Sequence, residues 1–514
     1  MTQAKSLLGE KITNNSYLFL NLLFGFFPIS FILGSLVVNI NFLLFCLLGI
    51  YCLKSEILKT KFDFSFKIIF LFFFIVFFST LLNLVVSIYF NEYIRADLTK
   101  LIKSLLFFRF FLFLLIVYLL SKHNILRFEY FFLVAALSSI LLALDVIYQH
   151  FFGVDIIGLK SQKFRSSGFF GDEYIAGGYL QRFGFFAIFF SILVSKNKKI
   201  IKFVSTIFVI CILCAAIFFS GNRMPFILFL FGLFLILLFN FKIKKILLTG
   251  LITFFIILQL MLSFDATLKK NFTNEYTSFY NNVTNTLLYL FYSEKLENSR
   301  KTSLKNKPTK KNSFCFEFFK DVDCDLLIRT KRADIEYYLG GEKNSDIEKS
   351  FGQKTTFLSR EKTSNYRKLF LAALYTWKEH KIFGNGIRSF YTDCHNLSNS
   401  DVNIAEDEDP NKKNLSCSNH PHNYYFQILT STGIVGLFII LLIGLLFVIF
   451  SLKNLKFMKK FDMESVILLS TTISFFLEIF PLRSSGSLYT TSNATYIILV
   501  GSILLSYKEF LKTK

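Results

Sequence analysis

The sequence predicts an all-α, polytopic membrane protein with about twelve transmembrane helices and one large hydrophilic loop late in the chain. Three observations predict it. Apolar residues fill 53% of the 514 positions, against roughly 45–50% in soluble domains. The charges gather in a few stretches, and between them recur apolar runs near or above the length that crosses about 30 Å of hydrocarbon. The 70 Phe residues, together with abundant Lys, Asn and Ile, read as the compositional bias of an AT-rich genome, so Phe by itself carries no functional reading.

The runs cover 16–34, 36–53, 66–89, 100–120, 128–149, 174–194, 203–219, 225–240, 246–263, 424–452, 464–480 and 492–507. They divide the chain into an N-terminal membrane region (1–263, about nine helices), a large loop (264–423) and a C-terminal membrane region (424–514, about three helices). In the first pair, Pro28 and Gly34 also allow a re-entrant hairpin in place of two crossings. No charged n-region, short apolar core and small-residue cleavage site is recognisable, so no removed signal peptide is expected.

Lys and Arg in short connections set orientation. One side collects 22 of them, from Lys5 and Lys11 through Lys196, Lys198, Lys199 and Lys202 to Lys512 and Lys514, whereas the other short loops hold only 7. Both termini are therefore expected in the cytoplasm, with 264–423 outside. The net charge of +22 does not point to nucleic acid, because the outer segment has 25 basic and 21 acidic residues and most of the excess is topogenic. Cys46, Cys52, Cys211 and Cys214 fall in spans, and Cys315, Cys324, Cys394 and Cys417 in the outer segment. An even set in an oxidising compartment suggests disulfides, with three possible connectivities. Cys315 with Cys324 and Cys394 with Cys417 are favoured because each closes a local loop. Four free thiols would require the whole topology inverted.

Within the loop, Glu297 to Asn312 is rich in Lys, Ser, Thr and Asn and cannot bury a core. Residues 362–382 space Leu369, Ala373 and Tyr375 or Trp377 for an amphipathic helix, expected to lie on the membrane surface. Gly384-Asn-Gly386 then turns the chain, and an acidic run, 406–409, precedes Cys417. Where the loop meets the next span stands Ser-Asn-His420-Pro-His422-Asn423, with two of the six histidines in the chain. Histidine exchanges protons near neutral pH without assistance.

Lys103, Arg109, Asp145, Arg182 and Glu478 lie in or near spans, where ionisable groups need partners or a polar cavity. Arg165, Arg223, Arg388 and Arg483 all map to the side that holds His422. Arginine makes forked hydrogen bonds to phosphate oxygens and stays charged, which suits a phosphate-bearing substrate at the outer leaflet. Against that reading, His420, His422, His395 and the acidic run also offer a weak metal-binding pattern, unsupported by any HExxH or paired CxxC spacing.

Three stretches resemble the O-antigen ligase and polymerase superfamily of bacterial envelope glycan enzymes. Arg165-Ser-Ser-Gly-Phe-Phe-Gly171, leading through Ala176-Gly-Gly178 into a helix, is similar to the family's Arg-x-Ser-Gly-x-Phe-Gly segment. Ser220-Gly-Asn-Arg223 resembles its Ser-Gly-x-Arg turn. Residues 382–435, from Ile-Phe-Gly-Asn-Gly through Cys394, Cys417 and His-Pro-His-Asn to Thr432-Gly-Ile-Val435, resemble its best-marked region. With the membrane pattern, the likeness covers most of the chain except about 265–355.

The resemblance implies transfer of a glycan from an undecaprenyl-diphosphate carrier to an acceptor hydroxyl, such as that of lipid A core, on the periplasmic face of the bacterial inner membrane. It implies no metal, cofactor or nucleotide sugar. His422 would deprotonate the acceptor, an action worth about 10²–10⁴-fold, and Arg223 and Arg165 would bind the diphosphate. Arg388, Arg483 and Arg182 are further substrate-binding candidates; Asn423 would fix the imidazole tautomer or bind sugar, and His420 would bind substrate or shape the turn. Ligase is preferred over polymerase because the outer loop at 150–173 is short. A protein O-oligosaccharyltransferase would differ only in acceptor. A polysaccharide or lipid transporter, from a different class, would be expected to show internal repeats, and none is evident.

Overall fold

The computed structural model describes residues 14–54, 56–60, 62–90, 94–161, 165–195, 198–238, 243–264, scattered positions from 266 to 277, 365–399, 417–457 and 462–510. The Lys-rich stretch, Cys315, Cys324 and the acidic run lie outside these residues. The chain divides into two compact units, 1–269 with 369–514, and 270–368. The first holds the membrane helices and every candidate catalytic and substrate-binding residue.

Each of the twelve apolar runs is a helix: α1 Asn14–Leu33, α2 Ser35–Leu53, α3 Phe64–Phe90, α4 Ile94–Lys122, α5 Phe128–Phe152, α6 Ala176–Val194, α7 Lys199–Phe219, α8 Arg223–Leu238, α9 Lys244–Phe264, α12 Tyr424–Phe457, α13 Met463–Glu478 and α14 Thr491–Phe510. Two further helices, α10 Asn365–Glu379 and α11 Phe390–Asn399, belong to the hydrophilic loop. Among the described residues nine helices are long and apolar enough to cross a membrane, and α8, α13 and α14 are shorter in their apolar part. No strand forms among them; one isolated bridge joins Val154 and Lys160.

The first pair is a tight hairpin of 20 and 19 residues joined at Gly34, whose φ of 101° only glycine adopts without strain. At 1.5 Å per residue each arm is about 30 Å long, enough to cross. Phe24 and Phe27 of α1 meet Phe45 of α2 at 5.5 and 6.2 Å, so the arms pack along their length. Phe27 also meets Phe113, and Phe131 meets Phe186. Phe24, Phe27, Phe45, Phe113, Phe131, Phe132, Phe183, Phe185, Phe186 and Phe189 are fully buried. Lipid is as apolar as Phe, so these rings hold helices together by close packing and edge-to-face contacts, with little help from water exclusion.

One splice positions the outer loop. In α12 the helix breaks at Gly433 (φ 65°, ψ −162°), which strands backbone groups where no water satisfies them. The chain at 381–386 supplies the partners: Ile434 N–H donates to Lys381 C=O (3.0 Å), Asn385 N–H to Thr430 C=O (3.0 Å) and Gly386 N–H to Ser431 C=O (2.9 Å). From α3, Ser79 Oγ donates to the carbonyls of Phe383 and Ser431. A Cβ on Gly433 would lie 2.1 Å from Ile382 O, and one on Gly384 2.5 Å from Ser431 C. Two glycine motifs far apart in sequence are thus the two sides of one backbone contact.

Above the splice a small core forms from Leu369, Ala372 and Ala373 of α10 with Phe390 and Cys394 of α11, and Cys417 and Phe426 pack against it. Cys394 and Cys417 are disulfide-bonded, with Cα atoms 5.7 Å apart. The buried stripe of α10 at Leu369, Ala372, Ala373 and Thr376 has helical spacing. It faces protein, in place of the membrane surface expected from its amphipathic pattern.

Candidate functional site

Arg165 and Arg223, separated by 58 positions, meet at the turn between α7 and α8. Three things bring Arg165 there. The C-terminus of α5 is capped by Gly153 in the left-handed region, and the following loop is tied back to α5: Asp145 Oδ1 accepts from Ile156 N–H (3.0 Å) and Gln149 Oε1 from Gly168 N–H (2.8 Å). Ser166 N–H then donates to Phe219 C=O (3.1 Å). Finally, the side chain of Arg165 lies over Gly221: a Cβ there would sit 2.8 Å from its Cγ. Its guanidinium is 5.6 Å from the ring centre of Tyr174. Arg223 opens α8 two residues beyond Gly221. The start of α6 closes on the same turn, since a Cβ on Gly177 would meet Ser220 Oγ at 2.3 Å and Asn222 Cβ at 2.8 Å.

One turn further along α6, Gln181 and Arg182 reach the end of α13. Arg182 binds Glu478 through two parallel bonds, Nε to Oε2 at 2.9 Å and Nη2 to Oε1 at 2.7 Å, and also donates to Asn493 Oδ1 (2.7 Å). Arg483 Nη1 is 2.6 Å from Glu478 Oε2 and donates to Gln181 Oε1 (2.9 Å). Tyr424 Oη donates to Glu478 Oε1 (2.8 Å). Glu478 is completely buried. Two arginines against one carboxylate leave the cluster with one net positive charge, held by a forked geometry that lysine cannot reproduce. Arg182 is thus engaged within the protein.

This cluster anchors the loop 479–490, and the loop in turn holds the His-Pro-His-Asn turn. Ser485 N–H donates to His422 C=O (2.9 Å). Asn423 Nδ2 donates to Pro481 C=O (2.7 Å), and its Oδ1 accepts from Tyr425 N–H (3.0 Å) and Phe426 N–H (3.2 Å). Asn423 is therefore both helix cap and loop clamp. Gln427 bonds Ser487 Oγ (2.7 Å) and Leu488 N–H (2.7 Å), and Arg388, itself at φ 58°, donates to Tyr489 C=O (3.2 Å).

His422 sits in the left-handed region (φ 54°), uncommon for a residue with a side chain and a reason to look for function. Its ring lies 4.2 Å from that of His420, centre to centre. Burial lowers the pKa of both imidazoles, opposed by a hydrogen bond to the Ser485 backbone. His420 is pushed down to about 4, first by burial and then by its neighbour. The pair is neutral at ambient pH, with nitrogen lone pairs available to accept protons.

The described residues hold no group of three or more His, Cys, Asp or Glu side chains arranged for a metal. The sequence identified the histidines and arginines but missed Gln181, Tyr424 and Ser485. These are ordinary polar residues, and only Glu478 in a span hinted that something basic must come to it.

Residues 207–441 match the O-antigen ligase family. The match includes Arg223, Arg388 and His422 and ends before Glu478 and Arg483. A search of curated proteins finds no match.

Proposed function

We propose that this chain, a multi-pass membrane protein of the O-antigen ligase family, transfers a glycan from an undecaprenyl-diphosphate carrier to an acceptor hydroxyl, with lipid A core as the acceptor. The site faces the periplasm. The observation that carries the reading is the convergence on α6: its first turn packs on the turn of Arg165 and Arg223, and its next turn, through Gln181 and Arg483, holds the loop that bonds His422. A permanent cation pair and a neutral base thus come to one end of the helix bundle.

In this mechanism Arg165 and Arg223 bind the diphosphate and offset the charge that grows on it as the glycosidic bond breaks. His422 accepts the proton of the acceptor hydroxyl as its oxygen bonds to the anomeric carbon. The carrier leaves as the diphosphate, and the proton leaves His422 to solvent. Asn423 and the Ser485 contact fix the backbone from which the imidazole projects.

Cells lacking the protein test the reading. Ligase action predicts carrier-linked long chains accumulating beside bare lipid A core; core capped with single repeats would instead identify a polymerase, and unchanged glycolipids would remove both.

A further inference from the structure

Beside the histidine turn lies a group of donors that the mechanism above leaves unused. In the loop that follows α13, Arg483 and Ser485, two positions apart, are both buried while Leu482 and Gly486 are exposed. Arg483 Nη1 points at Gln181 Oε1. Because arginine only donates, the oxygen of Gln181 must face it, which turns the amide nitrogen away. Gln181 Nε2 and Ser485 Oγ are both enclosed, and neither has a hydrogen-bond partner among the described residues. Both residues are more than nine-tenths buried. His420 Nε2, within the same turn, is in the same condition.

A buried donor without a partner destabilises the fold, because its lost hydration is not replaced. Two of them, next to a buried guanidinium in a cluster that keeps one positive charge, call for a ligand rich in acceptor oxygens and negative charge. Glu478 does not meet the need, since both its oxygens are taken by Arg182, Arg483 and Tyr424. We infer that Arg483, Gln181 and Ser485 form an anion cradle that receives phosphate oxygens beside His422. The cradle shares with the proposed function the idea of a phosphate-bearing substrate and does not depend on His422 acting as a base. The phosphate comes either from the prenyl diphosphate donor or from a phosphorylated acceptor glycan.

The test is binding to the full-length protein in lipid nanodiscs, with farnesyl diphosphate, farnesol and glucose 6-phosphate as probes. Ser485→Ala removes a buried hydroxyl that has no hydrogen-bond partner among the described residues, so the variant should unfold at or above the wild-type temperature while its affinity for farnesyl diphosphate falls several-fold. Gln181→Glu places a carboxylate in the cradle and should lower that affinity at least tenfold. Farnesol should bind weakly to all forms, and His422→Ala should bind farnesyl diphosphate as wild type does even where transfer fails. If glucose 6-phosphate shows the dependence and farnesyl diphosphate does not, the cradle stands and serves the acceptor. If both phosphates bind the two cradle variants as tightly as wild type, or bind none of the forms, the cradle is wrong.

Discussion

His422 combines a left-handed backbone with a half-buried, neutral ring, and each property has a measurable consequence. An imidazole whose pKa lies below its ordinary value stays unprotonated to lower pH, so the acid limb of the transfer rate should fall below pH 6.5, the ordinary histidine value. A limb at or above that value would contradict the burial of the ring. Stability follows the same sign. Between the ordinary value and about 4, where His420 titrates in the folded chain, the unfolded chain binds more protons, so stability declines as pH falls through that window. At this scale the sequence was informative where chemistry is rare: His422, His420, Arg165, Arg223 and Arg483 were all legible as candidates. The partners were not. Tyr424 and Gln181 matter through a single contact each, with Glu478 and Arg483, across 54 and 302 positions, and no local pattern encodes such a distance.

At the scale of elements, the break in α12 is the feature that fixes the outer loop. Gly433 needs both its positive φ and the absence of a Cβ, since any Cβ would meet Ile382 O at 2.1 Å. Gly433→Ala should therefore lower the unfolding temperature in detergent by several degrees or prevent accumulation of the protein, an effect of about 2–4 kcal/mol combining strain and lost backbone bonds. Gly444, in the same helix with nothing within 4 Å of its Cβ position, is the control; equal effects at both sites would show that the splice contributes nothing. The runs that became helices were readable because apolar length alone specifies them in a membrane. The splice was not, because Gly384-Asn-Gly386 read as a simple turn and Gly433 lay inside the continuous apolar run 424–452, with nothing local to say that the two meet. For α10 the periodicity was right and the partner wrong: its stripe packs on α11 and the start of α12, joined by the Cys394–Cys417 bond.

For the whole molecule, the ends of α5, α7 and α13 and the starts of α6, α8, α12 and α14 gather at one side, linked by the contacts of Gly177, Arg483, Ser485 and Glu478. The Cys394–Cys417 disulfide lies on that side. The apolar bundle thus works as a frame that carries a small polar site at one surface, with Phe as the main filler of its interior. The most direct test of this account is transfer by purified full-length His422→Ala, reconstituted with a lipid-diphosphate-linked glycan and an acceptor. The account predicts a transfer rate reduced by about 10²–10⁴-fold, with the protein inserted and unfolding at the wild-type temperature. Transfer at the wild-type rate would contradict it.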